Sequence, residues 1–424
     1  MSQVATPVEQ RSEPEPAPSR WSRIVGWRRT LLLVAMGLVV ISLTRVITGA
    51  DDISSSGAIA SALALAAPIA LAGLGGLWSE RAGVVNIGLE GMMIMGTWGA
   101  GFFGFNYGPW AGLGGAILMG MVGGAVHALA TVVFGVDHIV SGVAVNLLGA
   151  GTAAYLAVRT FSSTGGTQSP SLPELPRLTI APLSDWLAGV EGNGTFIIAD
   201  LASILRALTT RLSIVTVLVV VLLVLTWWIL WRTTFGLRLR SCGESPVAAE
   251  TLGINVYRYK FVAVLISGGL AGLAGGFLAM VASNLYREGQ TGGRGYIGLA
   301  AMIFGNWRPG GLAAGAGLFG YADAINLRGG GDVVRAYLLP LAVFLLVWGV
   351  WQFRRRKAGK PMVGVLSVVT SLIVFGWFQL TSTFPKELTG MTPYLATLLV
   401  LAFASQRLRM PAADGLVYRK GEAK

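Results

Sequence analysis

Thr233–Lys260 reads TTFGLRLRSCGESPVAAETLGINVYRYK and lies between two long apolar runs, 213–231 and 261–283. Its punctuation predicts one short helix over Glu244–Gly253. Ser245 suits the N-cap, Pro246 the first helical position, and Gly253 the turn that ends it. Val247, Ala248, Ala249 and Thr251 are small and lack the large apolar face that adsorption on a lipid surface requires. A rigid, small-faced helix between two spans suits insertion into a cleft of another protein. Gly243, Glu244, Ser245, Pro246, Ala248, Ala249 and Gly253 are therefore candidate contact residues.

The rest of the chain agrees with a membrane setting. Of 424 residues, 54% are hydrophobic and 12% charged, where soluble domains carry about 25% charged residues. The fold class is an all-α integral membrane protein. With about 20 apolar residues per span, and fewer for a broken helix, twelve candidates emerge. They are 31–47, 57–77, 83–104, 111–134, 139–158, 213–231, 261–283, 295–305, 311–327, 336–353, 363–381 and 392–405, giving a bundle of about ten to twelve helices. The long connection 159–212 carries turn signals at Pro170, Pro173, Pro176 and Pro182 and an amphipathic stretch over 196–207. Residues 1–28 are expected to form a disordered, proline-rich cytoplasmic tail, 29–405 the membrane domain with 159–212 as an extracytoplasmic loop, and 406–424 a cytoplasmic C-terminal tail.

Net charge is +12, yet the basic residues cluster in the tails, in 232–260 and in 354–360. That pattern marks a cytoplasmic side and places both termini and 233–260 there; a nucleic-acid-binding domain has no room. Trp227, Trp228 and Trp231 suit interface anchoring. The single cysteine, Cys242, excludes an internal disulfide, and two separated histidines exclude a Cys/His metal cluster. No G-x-x-x-x-G-K-[ST] phosphate loop occurs, and Gly359–Lys360 is followed by proline.

Ile87–Trp98 (IGLEGMMIMGTW) and Ile297–Trp307 (IGLAAMIFGNW) resemble each other and run in opposite directions in this topology. Inverted repeats with glycine-broken helices place a transport path at their interface. Glu90 lies inside a span, where an acid is costly unless paired or wetted. With Asn86 one helical turn earlier, Glu90 is read as a brace that caps freed amides, with substrate contact the other role. Asn86 and Asn146 line the path or glue helices together. Asp323 and Asn326 are further path candidates, with a contact to Arg328 as the alternative for that pair. Gly268, Gly272 and Gly276, and Gly120 and Gly124, form small faces for close packing within the chain or across a dimer. His127 and His138 are read as structural.

GLWSERAGVVNIGLEGMMIMG (76–96), DHIVSGVAVNLLGAG (137–151), GRGYIGLAAMIFGNWRPGG (293–311) and RMPAADGLVYRKGE (409–422) resemble signature segments of one permease group. It is the branched-chain amino acid, ribose and nucleoside group of ATP-binding-cassette (ABC) importers, and the nucleoside branch in particular. The CGESPVAAETLGINV loop is similar to the coupling loop of such permeases. The resemblance implies a helical permease subunit without catalysis or bound cofactor of its own. ATP-Mg would be used by partner ATPase subunits docking on 233–260. A second permease chain and an extracytoplasmic substrate-binding lipoprotein would complete the assembly in the lipid of the plasma membrane. The proline-rich N-terminus and an added apolar hairpin within 354–390 depart from the group's pattern. An ion-coupled secondary transporter is the competing class, with only Glu90 and Asp323 as intramembrane acids; a sugar or amino acid permease is the competing substrate reading.

Overall fold

The computed structural model describes residues 20–354, 361–391 and 408–421. The proline-rich residues 1–19 and the expected span 392–405 lie outside the described residues. Helix α1 (Arg20–Thr48) begins well before the first expected span. It is followed by α2 (Ser56–Arg81), α3 (Leu89–Tyr107), α4 (Pro109–Ala128) and α5 (His138–Thr160). The long connection then supplies α6 (Ala181–Gly192) and α7 (Ile198–Thr209) between two short paired strands, β1 (Arg177–Leu178) and β2 (Leu212–Ser213). After α8 (Ile214–Arg232) come α9 (Thr234–Glu244), α10 (Pro246–Thr251) and α11 (Val256–Phe277). The chain continues through α12 (Arg294–Phe304), α13 (Pro309–Ala324), α14 (Gly330–Arg354), α15 (Pro361–Leu380) and α16 (Lys386–Thr389).

Seven of the described helical segments are long and apolar enough to cross a membrane, so the chain is a multi-pass, all-α membrane protein. The most enclosed stretch is in α11, 78% of it buried, against 11% in α15. The core is therefore built around α11 and α2, which pack on each other, while α15 lies at the rim against α14.

The two central helices cross-pack in a reciprocal way. α11 lies on α3 and α4, whereas α2 lies on α12 and α13. α4 and α13 each open with proline in the first turn and each end in a π turn, over 129–133 and 325–329. The two similar sequence segments fall in the 82–88 connection with α3, and in α12 with the turn after it.

Glycine makes the crossings possible. A Cβ on Gly268 would stand 2.9 Å from Gly124 Cα, and one on Gly272 would stand 2.8 Å from Gly120 Cα. The two glycine faces therefore meet within the chain, α4 against α11. Without a hydrophobic drive between helices in lipid, such close backbone contact supplies much of the association.

At the end where α2 begins, α6 and α7 are fastened to the bundle. Arg45 Nε donates to Asp200 Oδ1 at 2.9 Å, and Ser54 also donates to that carboxylate. Burial alone would raise the Asp200 pKa, but the bonds from Ser42, Ser54 and Arg45 outweigh it and hold it low. α7 matches the amphipathic stretch, while α6, opened by Pro182, was not expected.

Candidate functional site

Span 83–104 is not helical from its start. Residues 82–88 leave α2 as a non-helical connection, and helix resumes only at Leu89. A backbone freed from helix inside an apolar bundle needs a partner for each polar group, and distant residues provide them. Lys260 Nζ donates to Gly83 O at 3.1 Å. His127 Nε2 lies 3.0 Å from Val85 O, and His138 Nδ1 accepts from Val85 N at 3.3 Å. Asn86 Oδ1 accepts from Gly88 N at 3.0 Å, and Asn146 Nδ2 donates to Ile87 O at 2.9 Å. Asn86 thus precedes the helix, so it is not one turn before Glu90 as expected. The two histidines act structurally, as their isolation in the sequence suggested, and Lys260 is a clamp that sequence reasoning missed.

The inverted counterpart is the connection 283–293, which leads into α12. Its end meets Glu90, which is buried in the first turn of α3. Glu90 Oε1 accepts from Gly293 N at 2.9 Å and Oε2 from Gly295 N at 2.7 Å. A Cβ on Gly295 would lie 2.7 Å from Glu90 Cα, so only glycine permits this approach. The N-terminal ends of two helices thus meet, and one carboxylate meets the partial positive charge of α12. Glu90 thus caps amides, as the brace reading expects, although those amides lie at the start of α12 and not in its own helix. Asn146 extends the junction: its Oδ1 accepts from Gly91 N at 2.7 Å and its Nδ2 reaches Tyr296 Oη at 2.9 Å.

Asp323 pairs with Arg294 at 3.7 Å and not with Arg328, which donates to Ser61 Oγ. Asn326 accepts from Thr389. Asp323 therefore joins the junction through Arg294 at the start of α12, whereas Asn326 belongs to the contact with α16. A cavity of about 160 Å³ adjoins the junction, lined by Ile94, Thr97, Tyr286, Glu288, Gln290 and Thr291. Small-molecule pockets run to about 300–1,000 Å³, so this space holds water more readily than a tightly bound solute. Glu288, Gln290 and Arg294 were missed in the sequence because they lie in polar, glycine-rich chain that reads as an ordinary loop.

The polar segment at the opposite end holds two helices where one was expected. Glu244 closes α9, and α10 begins at Pro246. Ser245 stands at the N-cap position, but its side chain makes no capping bond. Gly253 takes the left-handed turn (φ +79°) as expected. Gly243 and Ala249 are buried, which corrects their assignment to a docking face. Gly243 packs on the Arg81–Gly83 backbone, and Ala249 sits among Cys242, Ile254, Val256, Tyr259 and Tyr418. Burial pushes the Cys242 thiol up to about 11, which leaves it an inert packing group. The outward face consists of Ser245, Val247, Ala248, Thr251 and Leu252, the last 80% exposed. A groove of about 800 Å³ runs beside it, lined by Leu237, Arg238, Leu252, Arg258 and Tyr259 among others.

Arg81, at the end of α2, ties this face to the broken helices. Its Nη2 donates to Trp307 O at 2.7 Å, in the turn after α12, and its Nη1 lies 3.9 Å from Glu244. Its guanidinium also stacks on Trp231, which Arg240 covers too. Trp231 is therefore a platform for two arginines; Trp227 and Trp228 remain exposed.

Comparison with known proteins agrees with this architecture. Residues 58–348 match the family described as branched-chain amino acid transport system / permease component. The chain is 34% identical to the guanosine ABC transporter permease protein NupQ of Bacillus subtilis, over 72% of this chain and 95% of that protein. It is 31% identical to the nucleoside ABC transporter permease protein NupC of Lactococcus lactis, over 86% and 97%. The putative glucose ABC transporter permease protein TsgC13 of Haloferax volcanii is 34% identical over 85% and 96%. No solved structure matches the chain. Reciprocal repeats joined at Glu90, a polar two-helix segment at one end and a family match over 58–348 lead to one conclusion: the chain belongs to the branched-chain amino acid transport system permease family.

Proposed function

We propose that this chain is one permease subunit of an ATP-driven importer for nucleosides. In this reading the termini and α9–α10 are cytoplasmic, α6–α7 face outward, and the protein resides in the plasma membrane. ATPase subunits, using ATP-Mg, dock on the outward face of α10 (Val247, Ala248, Thr251 and Leu252) and on the neighbouring groove. A second, related permease and a substrate-binding lipoprotein complete the assembly. The observation that carries the reading is an exposed Leu252 on a rigid polar segment outside the apolar bundle. Leu252 and Leu237, both exposed on the same groove, suit a partner's apolar surface.

The pathway runs past the junction of α3 and α12. Glu90, Asn86 and Asn146 have their bonding capacity taken up by backbone and by Ser267 and Tyr296, so they hold its shape. The long Arg294–Asp323 pair and the half-exposed Tyr296 beside Asn146 are the groups placed to meet a passing solute. No tight site is needed when a binding protein supplies the affinity. The nucleoside assignment is supported by the two relatives named as guanosine and nucleoside permeases; the glucose permease relative keeps a sugar as the second substrate class.

The test is uptake into proteoliposomes that hold the full complex and an internal ATP supply, with a loaded binding protein outside. Nucleoside accumulation that needs ATP hydrolysis supports the proposal. Accumulation by the chain alone along an ion gradient would replace it with secondary transport.

A further inference from the structure

Residues 408–421 touch α9, α10, the start of α11 and the turn between α12 and α13. Arg409 N donates to Asn306 Oδ1 at 2.7 Å, in the turn between α12 and α13. Ala413 N donates to Gly243 O at 2.8 Å and Ala412 N to Glu244 Oε2 at 3.2 Å, both in α9. Tyr418 Oη donates to Glu250 Oε2 at 2.6 Å in α10, and its ring packs on Tyr257 at the start of α11. A terminal segment of ordinary tail composition has no need of so many specific attachments.

Its most costly feature lies between these anchors. The Asp414 carboxyl is 7% exposed, against Glu80 of α2 with Arg81 and Lys260 nearby. The carboxyl meets the Glu80 carboxyl and the Gly415 amide. Two carboxyl groups brought together in this way hold a proton between them. Burial of an acid beside another acid opposes docking of the tail, so the remaining contacts must offset it. Immediately beyond, Gly415 adopts φ +79° and rests by Val85, in the non-helical connection that leads to α3.

We propose that residues 408–421 form a coupling strap: a second link, with Asp414 as its positioning residue, through which displacement of α10 reaches α2 and the 82–88 connection. This rests on α10 being the ATPase-docking helix. The strap adds to the packing of Gly243 on the Arg81–Gly83 backbone and to the long Arg81–Glu244 pair, the other routes from α9–α10 to the end of α2. The strap's contacts with α9 and α10 are made to Gly243, Glu244 and Glu250 and not to Val247 or Leu252, so its loss leaves docking in place and impairs transmission.

The experiment uses the complete complex in proteoliposomes, with ATPase stoichiometry, ATP hydrolysis and uptake measured together. In Asp414→Ala the ATPase is retained and hydrolysis continues, but uptake per ATP falls at least about fivefold, the low end of allosteric coupling. Asp414→Asn, which keeps the shape of the protonated acid, restores most of it. Tyr418→Phe, which removes one bond and leaves Asp414 seated, gives an intermediate loss. Unchanged uptake per ATP in Asp414→Ala and Tyr418→Phe overturns the proposal. So does loss of the ATPase from both, which would make the segment part of the docking site's fold. A wild-type chain that carries no ATPase removes the docking reading itself, and the strap with it.

Discussion

Glu90 accepts the amide hydrogen of Gly295 at 2.7 Å, so the first turn of α3 caps the first turn of its inverted counterpart. Two helix starts that would repel each other are joined by one carboxylate, and the junction is fixed from both sides.

Glu90→Ala leaves the Gly293 and Gly295 amides without their acceptor, at a cost of about 1–3 kcal/mol for each buried group. The expected result is a clear fall in thermal stability in detergent and loss of uptake. Glu90→Gln keeps one acceptor oxygen and should lie between. A Glu90→Ala protein as stable as wild type, with altered substrate preference only, would make Glu90 a substrate ligand and not a brace.

Gly272→Val places a branched side chain where a Cβ already stands 2.8 Å from Gly120 Cα. Forcing α4 from α11 should destabilise the bundle by about 1–3 kcal/mol or more. Gly317→Ala, at a helical glycine with open space around it, is the neutral control. Equal melting temperatures for the two variants would contradict the close crossing.

Ala249→Trp and Leu252→Asp separate packing from docking. The first replaces a buried alanine and should unfold the α9–α10 segment, raising proteolysis there. The second changes a side chain that touches solvent and should leave the chain's protease pattern and melting temperature as in wild type, while the ATPase is lost. Matching protease patterns for the two would show that the segment is not packed as described.

Docking of residues 408–421 should depend on pH. Burial raises Asp414 from 3.8 to about 7, against the opposing influence of the hydrogen bond with Glu80 on α2, of Lys260 on α11, of the Gly415 amide and of Arg81 on α2. An acid with a raised folded pKa favours the docked state when protonated. Its contribution is complete below about pH 4 and is lost as pH rises to about 7, with no further change above. Hydrogen exchange corrected for intrinsic rates should show protection of 413–418 falling about tenfold or more between pH 5 and 8, one pKa unit being tenfold. Asp414→Asn should flatten the profile; protection that rises with pH would reverse the assignment.

Much of this fold was legible in the sequence because span length, glycine spacing and a weak internal repeat are local signals. Eleven of the twelve expected spans coincide with described helices, with their edges moved. The 82–88 connection was not legible, since AGVVNIG is nearly as apolar as the spans on either side of it. Its structure depends on Lys260, His127, His138 and Asn146, each far away in the chain. The α9 helix was missed because its glycines and arginines read as loop, and Ala249 was assigned outward because a short helix of small residues shows no periodicity. The pairing of Asp414 with Glu80 joins residues more than three hundred positions apart, which a single sequence does not reveal.

The most direct test of the central claim is co-purification of ATPase subunits with the tagged wild-type chain and with Leu252→Asp, at matched expression in mild detergent. ATPase recovered with the wild type and absent from a folded Leu252→Asp protein is the expected result. A wild-type chain that purifies alone, or a Leu252→Asp chain that retains the full complement of ATPase, would contradict α10 as the site where ATP hydrolysis drives this permease.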